Sequence, residues 1–242
     1  MPDPQPSRAN FATTRWSLVV AASSENVDSR RALAELCESY WPPIYAYIRR
    51  RGHTVEAAQD LTQSFMTELL ERDLVARADA DRGKFRSFLL GACRYFLSHE
   101  RERQQAIKRG GGAHTWSFDF ERGESIVRHD PSHDRTPERC FEREWALTVL
   151  RSVLDRLREE YAARGKSEVF TALEPFISAG DPATPYAEVA ATLSWTPNAT
   201  KVAVHRLRGR YRELLRSEVG ATLDDNAGID DELATLLEAL GS

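Results

Sequence analysis

The sequence predicts an all-α protein: two helical domains joined by a flexible linker, the second containing a helix-turn-helix. Three observations carry this. Apolar residues recur at i, i+3, i+4 and i+7 through most of the 242 residues, and no stretch alternates with period two. The helical period disappears over 104–137, where Gly110-Gly111-Gly112, Pro131 and Pro137 fall. It returns and ends in two helices separated by a tight turn, the second of which is strongly basic.

Residues 1–10 are polar and Pro-rich and read as disordered. A helix is predicted over about Thr13–Ser23, with Trp16, Val19 and Val20 inward. A second begins near Ser29 and uses Leu33, Leu36 and Tyr40. Pro42-Pro43 should interrupt or kink it, because proline lacks the amide donor and its ring crowds the preceding turn. A third piece, Ile44–Arg51, ends at Gly52. Thr54 caps the next helix, striped by Leu61, Phe65 and Leu69. Residues 77–84 read as a loop, and a helix from Phe85 to about Arg103 turns Phe88, Leu89, Ala92 and Phe96 inward.

The expected domains are 11–103 and 138–217, with 104–137 as linker and 218–242 as an acidic tail. A loop of that length inside one compact domain would be unusual. The second domain opens with a long helix from near Thr136 to about Ala163, followed by one over Glu168–Ile177 and the loop Ser178–Pro185. In the pair that follows, Tyr186, Val189, Ala190 and Leu193 stripe the first helix. Thr196 is the N-cap of the second, with Pro197 in its first turn. Thr200, Ala203, Val204 and Leu207 face inward. Asn198, Lys201, His205, Arg206 and Arg208 fall mostly outside. These are the parts of a helix-turn-helix, whose second helix enters the DNA major groove. Lys and Asn suit base edges, and the cluster Lys201, Arg206, Arg208, Arg210, Arg212 and Arg216 suits phosphates. A solvated basic face is the plainer alternative.

A second cluster lies around the helix that starts at Phe85. Bases and aromatics alternate there: Arg82, Lys84, Phe85, Arg86, Phe88, Arg94, Tyr95 and Phe96. Basic groups hold phosphates and exposed aromatic faces stack on unpaired bases. Phe88 and Phe96 read as core; Lys84, Arg86, Arg94 and Tyr95 read as surface.

Composition narrows the classes. The net charge is −4, unlike a simple stand-alone duplex binder, which would usually be basic. The acidity is concentrated in the tail: Glu218, Asp224, Asp225, Asp230, Asp231, Glu232 and Glu238, with no Lys or Arg after Arg216. Without the tail the body is slightly basic, which suits a protein that meets DNA with help from another. Ile229, Leu233, Leu236, Leu237 and Leu240 give the tail an amphipathic stripe. It is expected to fold back near helix 197–216, to bind a regulator, or to complete the second domain's core. Cys37, Cys93 and Cys140 form no CxxC pair and indicate a reducing compartment and buried or inert thiols. With no secretory h-region and no long apolar run, a cytoplasmic protein without membrane insertion is expected. No Walker loop, GxGxxG, HExxH or GxSxG occurs, so no enzyme is predicted. His114, His129, His133 and Cys140 match no standard zinc spacing. No metal or other cofactor is expected.

The run Ala58-Gln59-Asp60-Leu61-Thr62-Gln63-Ser64-Phe65-Met66-Thr67-Glu68-Leu69-Leu70 resembles the AEDLxQxxFxxLL pattern of bacterial sigma factors. Tyr40–Tyr45 and Phe85–Leu89 are similar to the flanking parts of the same domain. Val204–Arg208 is similar to the HRAR-type stretch of the C-terminal sigma domain. The order matches the two-domain extracytoplasmic-function subfamily over about residues 11–217. The resemblance implies a partnership with core RNA polymerase and promoter DNA, and possible control by an anti-sigma factor or another regulator. It puts Asp60, Gln63, Phe65 and Glu68 on the polymerase. It puts 82–101 on the downstream promoter element, where strands open, and 197–208 on the upstream element. The linker would thread the RNA-exit path. The sequence departs from the family at Leu207, in its longer linker, in the tail and in the N-terminal segment Thr14–Ala22. The alternative is a stand-alone helix-turn-helix regulator with a helical dimerisation or sensing domain.

Overall fold

The computed structural model describes residues 19, 27–71, 74–75, 78, 84–106, 118–121, 123–124, 135–178, 186–220 and 228–241. Among these, all regular secondary structure is helical, as the periodicity predicts. The helices are α1 (Val27–Arg50), α2 (Val55–Glu71), α3 (Phe85–Ala106), α4 (Pro137–Ala162), α5 (Ser167–Leu173), α6 (Pro175–Ser178), α7 (Tyr186–Thr192), α8 (Pro197–Gly220) and α9 (Ile229–Gly241). No described helix is long and apolar enough to cross a membrane. Of the expected N-terminal helix, only Val19 is among the described residues; it is helical and buried.

Two compact units divide the chain: Met1–Thr148 with Val219–Ser242, and Val149–Glu218. The division falls inside α4 and α8. The first turns of α4 and the acidic helix α9 therefore belong to the first unit. Neither assignment follows from sequence order.

The first unit differs from expectation at Pro42-Pro43. Both prolines lie inside a single helix, α1, rather than between two pieces. A proline in a helix interior costs about 3 kcal/mol or more. The following turns offset it by burying Ile44, Tyr45, Tyr47 and Ile48 completely, each large apolar side chain contributing about 1.5–3 kcal/mol. The helix stops at Gly52, whose φ of 90° suits glycine and whose amide donates to the Arg49 carbonyl. Thr54 then caps α2, its Oγ1 accepting from the Ala57 amide at 3.3 Å. Leu61, Phe65 and Leu69 are buried as the stripe predicts, with Phe65 packed 5.6 Å from the Phe96 ring of α3.

Part of the expected flexible linker is docked. Phe118 stacks on Trp41 with ring centres 5.5 Å apart, and Phe120 meets Trp41 edge-on. Glu124 is buried and accepts from Tyr45 Oη at 2.8 Å and from Arg49 Nε at 2.9 Å. Gly123 is required there, since a Cβ would stand 2.9 Å from a Trp41 ring carbon. Gly110–Gly112 and Pro131 lie outside the described residues.

Thr136 and Pro137 open α4 within the first unit. In the second unit, Val153, Leu157, Phe170, Leu173, Phe176, Val189, Val204, Leu207 and Leu214 form one core. The helix expected over Glu168–Ile177 is divided into α5 and α6. The Glu174 amide closes the last bond to Phe170, and Pro175 has none to give.

Candidate nucleic-acid interface

In the second unit, α7 ends in a left-handed residue, Ser194, at φ 55°. The Trp195 amide donates to the Ala190 carbonyl and the Ser194 amide to that of Ala191. This is the reciprocal closure that reverses a chain at a helix end. Thr196 then starts α8, its Oγ1 accepting from the Ala199 amide at 3.2 Å, with Pro197 in the first turn. Cap and turn together leave α8 one buried and one open face. Thr200, Val204 and Leu207 are buried. Asn198, Lys201, Val202 and His205 repeat at i, i+3, i+4 and i+7 and are all exposed, with Arg206 exposed beside them. Four donors or acceptors of different shape thus line one helix next to an apolar contact, Val202. That combination can read both polar base edges and a thymine methyl.

Arg208 differs from expectation. It is half-buried, and its Nε donates to the Phe176 carbonyl at 2.9 Å. Its first task is to satisfy the end of α6. Arg210 is also tied down: Glu160 receives two of its bonds, at 2.7 and 2.9 Å, and Glu213 a third. The Arg210 bonds hold the Glu160 carboxyl below its ordinary range, against the opposing effect of burial. The open cations nearest the turn are Lys201 and Arg206. Lys201 also stands 5.8 Å above the Tyr186 ring.

The first unit brings its cations against acids that sequence reading did not pair with them. Arg86, expected on the surface, is only 4% exposed. Its Nε donates to Glu142 Oε2 at 2.8 Å, its Nη1 donates to Glu232, and its guanidinium carbon stands 4.1 Å over the Trp145 ring. The reason is positional: Arg86 follows the buried Phe85 at the start of α3, on the side that α4 and α9 cover. Lys84 donates to the other oxygen of Glu232. Burial alone would raise the Glu232 pKa, but the bonds from Arg86 and Lys84 outweigh it and hold the group below the usual carboxylate range. Arg94 meets Glu138 at 2.7 Å, with both side chains about half exposed. Such a pair is worth about 0–1 kcal/mol and is easily exchanged. Tyr95 is 63% exposed and lies 4.1 Å from the His99 ring. Phe96 is buried and Phe88 half-buried. Arg82 lies outside the described residues.

On α2, Asp60 is exposed, and Gln63 and Glu68 are half-buried. Phe65 is completely buried. Its place in the Leu61/Leu69 stripe makes it a core side chain, so any outward contact of α2 belongs to its polar neighbours.

The residues that sequence reasoning missed are Glu142, Trp145 and Glu232 around Arg86, and Glu124 against Tyr45 and Arg49. All three cysteines are buried, and burial pushes the Cys37 and Cys93 thiols up to about 12. Those two are therefore poor nucleophiles at neutral pH. His114, His129 and His133 lie outside the described residues.

Comparison of the chain with protein-family models, with curated proteins and with solved structures finds no match.

Proposed function

We propose that this chain is a promoter-specificity subunit of the sigma type. It binds core RNA polymerase, recognises promoter DNA and supports strand opening in the bacterial cytoplasm. The observation that carries the reading is the open face of α8. Asn198, Lys201, Val202 and His205 stand exposed on a helix that is capped at Thr196 and fixed by Thr200, Val204 and Leu207. In this reading α7 and α8 are a helix-turn-helix, and the chain between the two helical domains is a flexible linker outside its docked portion. Asp60, Gln63 and Glu68 on α2 meet the polymerase. The cations of the first unit, Lys84, Arg86 and Arg94, are paired with acids of the same chain. That pairing favours dependence on a partner over stand-alone binding by a helix-turn-helix regulator. An anti-sigma factor or another regulator would act on this same dependence.

Titration of core polymerase tests the docking helix. Asp60→Ala combined with Gln63→Ala should weaken binding about tenfold, the equivalent of about 1.4 kcal/mol. The helical content should stay unchanged, since neither side chain is buried. Undiminished binding by the double variant would remove α2 from the interface.

Tyr95 tests strand opening. Its exposed ring offers a stacking face worth about 1–3 kcal/mol per base. Tyr95→Ala should impair initiation on a closed promoter, and a pre-melted template should restore it. Equal defects on both templates would assign the ring to another task.

A further inference from the structure

Within the first unit, α9 places one carboxylate between two cations of the α3 segment. Glu232 is 1% exposed; one of its oxygens accepts from Arg86 Nη1 and the other from Lys84 Nζ. Two oxygens on one centre, each facing a separate cation, are also what the non-bridging oxygens of a phosphodiester present. Arg86 does not need Glu232 to hold its position, because Glu142 and the Trp145 face hold it from other sides. Lys84 keeps more than a third of its side chain exposed. The site is thus built from α3 and α4, and α9 only fills it.

The helix that fills it carries charge of one sign. Glu232 and Leu236 are its buried residues, Ile229, Leu233 and Leu240 are half-buried, and Leu237 is largely exposed. Its other acids, Asp230, Asp231 and Glu238, face outward, and it has no base. Releasing such a helix is a local opening rather than an unfolding of the unit.

We propose that Lys84 and Arg86 form a phosphate site for single-stranded DNA, and that Glu232 occupies it at rest as an internal competitor. The strand and α9 then exclude each other, and DNA capture requires α9 to leave. The inference rests on the reading above, in which the α3 segment meets opened DNA. If Glu232 were only a staple between helices, DNA would have no effect on α9. Linkage makes the two cases distinct, since mutual exclusion works equally in both directions.

The test uses the full chain and a fluorescein-labelled single-stranded DNA at low salt. Glu232→Gln keeps the side-chain size and removes the charge. It should bind about tenfold tighter than the wild type by anisotropy. Glu238→Gln, which removes an exposed charge from the same helix, should show no comparable gain. Adding Lys84→Gln to Glu232→Gln should abolish the gain. In the wild type, saturating DNA should speed amide exchange across 229–241. The proposal is overturned if folded Glu232→Gln binds no tighter than Glu238→Gln. Should Glu232→Gln fail to fold, wild-type exchange decides: faster exchange supports the competitor, and unchanged or slower exchange overturns it. Failure of the broader reading looks different. If core polymerase ignores the chain while Glu232→Gln still gains affinity through Lys84, the polymerase role falls and the competitor stands. If transcription depends on the chain and Glu232→Gln gains nothing, the competitor falls and the polymerase role stands.

Discussion

Arg86→Ala is expected to destabilise the first unit by about 3–5 kcal/mol, the cost of stripping one partner from a buried ion pair. Arg86 joins Glu142 and Glu232 and covers the Trp145 face. Its removal leaves the buried Glu232 with Lys84 alone from the cluster and opens space over an indole. Arg94→Ala, on the same helix, should cost less than Arg86→Ala, because Arg94 is half exposed where it meets Glu138, beside its hydrogen bond with Tyr47. Urea unfolding followed by tryptophan fluorescence separates them. A native midpoint for Arg86→Ala would contradict the buried network and return this residue to the surface. Glu232→Gln in the Arg86→Ala background should recover part of the loss, since it removes the charge left behind.

The combined change Lys201→Ala and Arg206→Ala should abolish recognition of the upstream element while leaving the second unit folded. Each residue should cost about 1–3 kcal/mol if it contacts a base edge. If it contacts phosphate, affinity should fall evenly across sequences and the salt dependence should flatten. Both side chains are exposed, so the core of Val204, Leu207 and Phe176 is untouched. The contact of Lys201 with the Tyr186 ring adds at most about 0.5–1 kcal/mol to stability. Binding measured on the cognate promoter and on scrambled DNA distinguishes the two modes. Normal transcription by the double variant would show that α8 does not read the promoter.

Local signals were legible and long-range pairings were not. The caps at Thr54 and Thr196, the stop at Gly52 and the inward stripe of α8 follow from backbone chemistry within a few residues. That chemistry is the same in any fold. The status of Arg86 could not be read this way. Its neighbours in sequence are aromatic and basic, whereas its partners Glu142 and Glu232 come from residues far along the chain. Charge bookkeeping saw the tail acids as a block, whereas Glu232 in particular is buried against Arg86 and Lys84. Pro42-Pro43 misled for a related reason: the local cost is real, but tertiary burial of the following turns exceeds it. A usable signal was present in the linker. Phe118 and Phe120, separated by one residue in a stretch that also holds Trp116, Ile126 and Val127, had no reason to be there unless something covered them. Trp41 and Tyr45 do so. Phe65 carried two expectations at once, as core by spacing and as contact by resemblance. The burial favours the first.

The account depends most on the claim that this chain reads promoters only as part of a larger enzyme. Gel shift on promoter DNA, with and without core RNA polymerase, measures that directly. The account predicts little or no specific shift by the chain alone, and a specific, competitor-resistant complex when core enzyme is added. Tight, sequence-specific binding by the chain alone, unchanged by core polymerase, would contradict it and favour a stand-alone helix-turn-helix regulator.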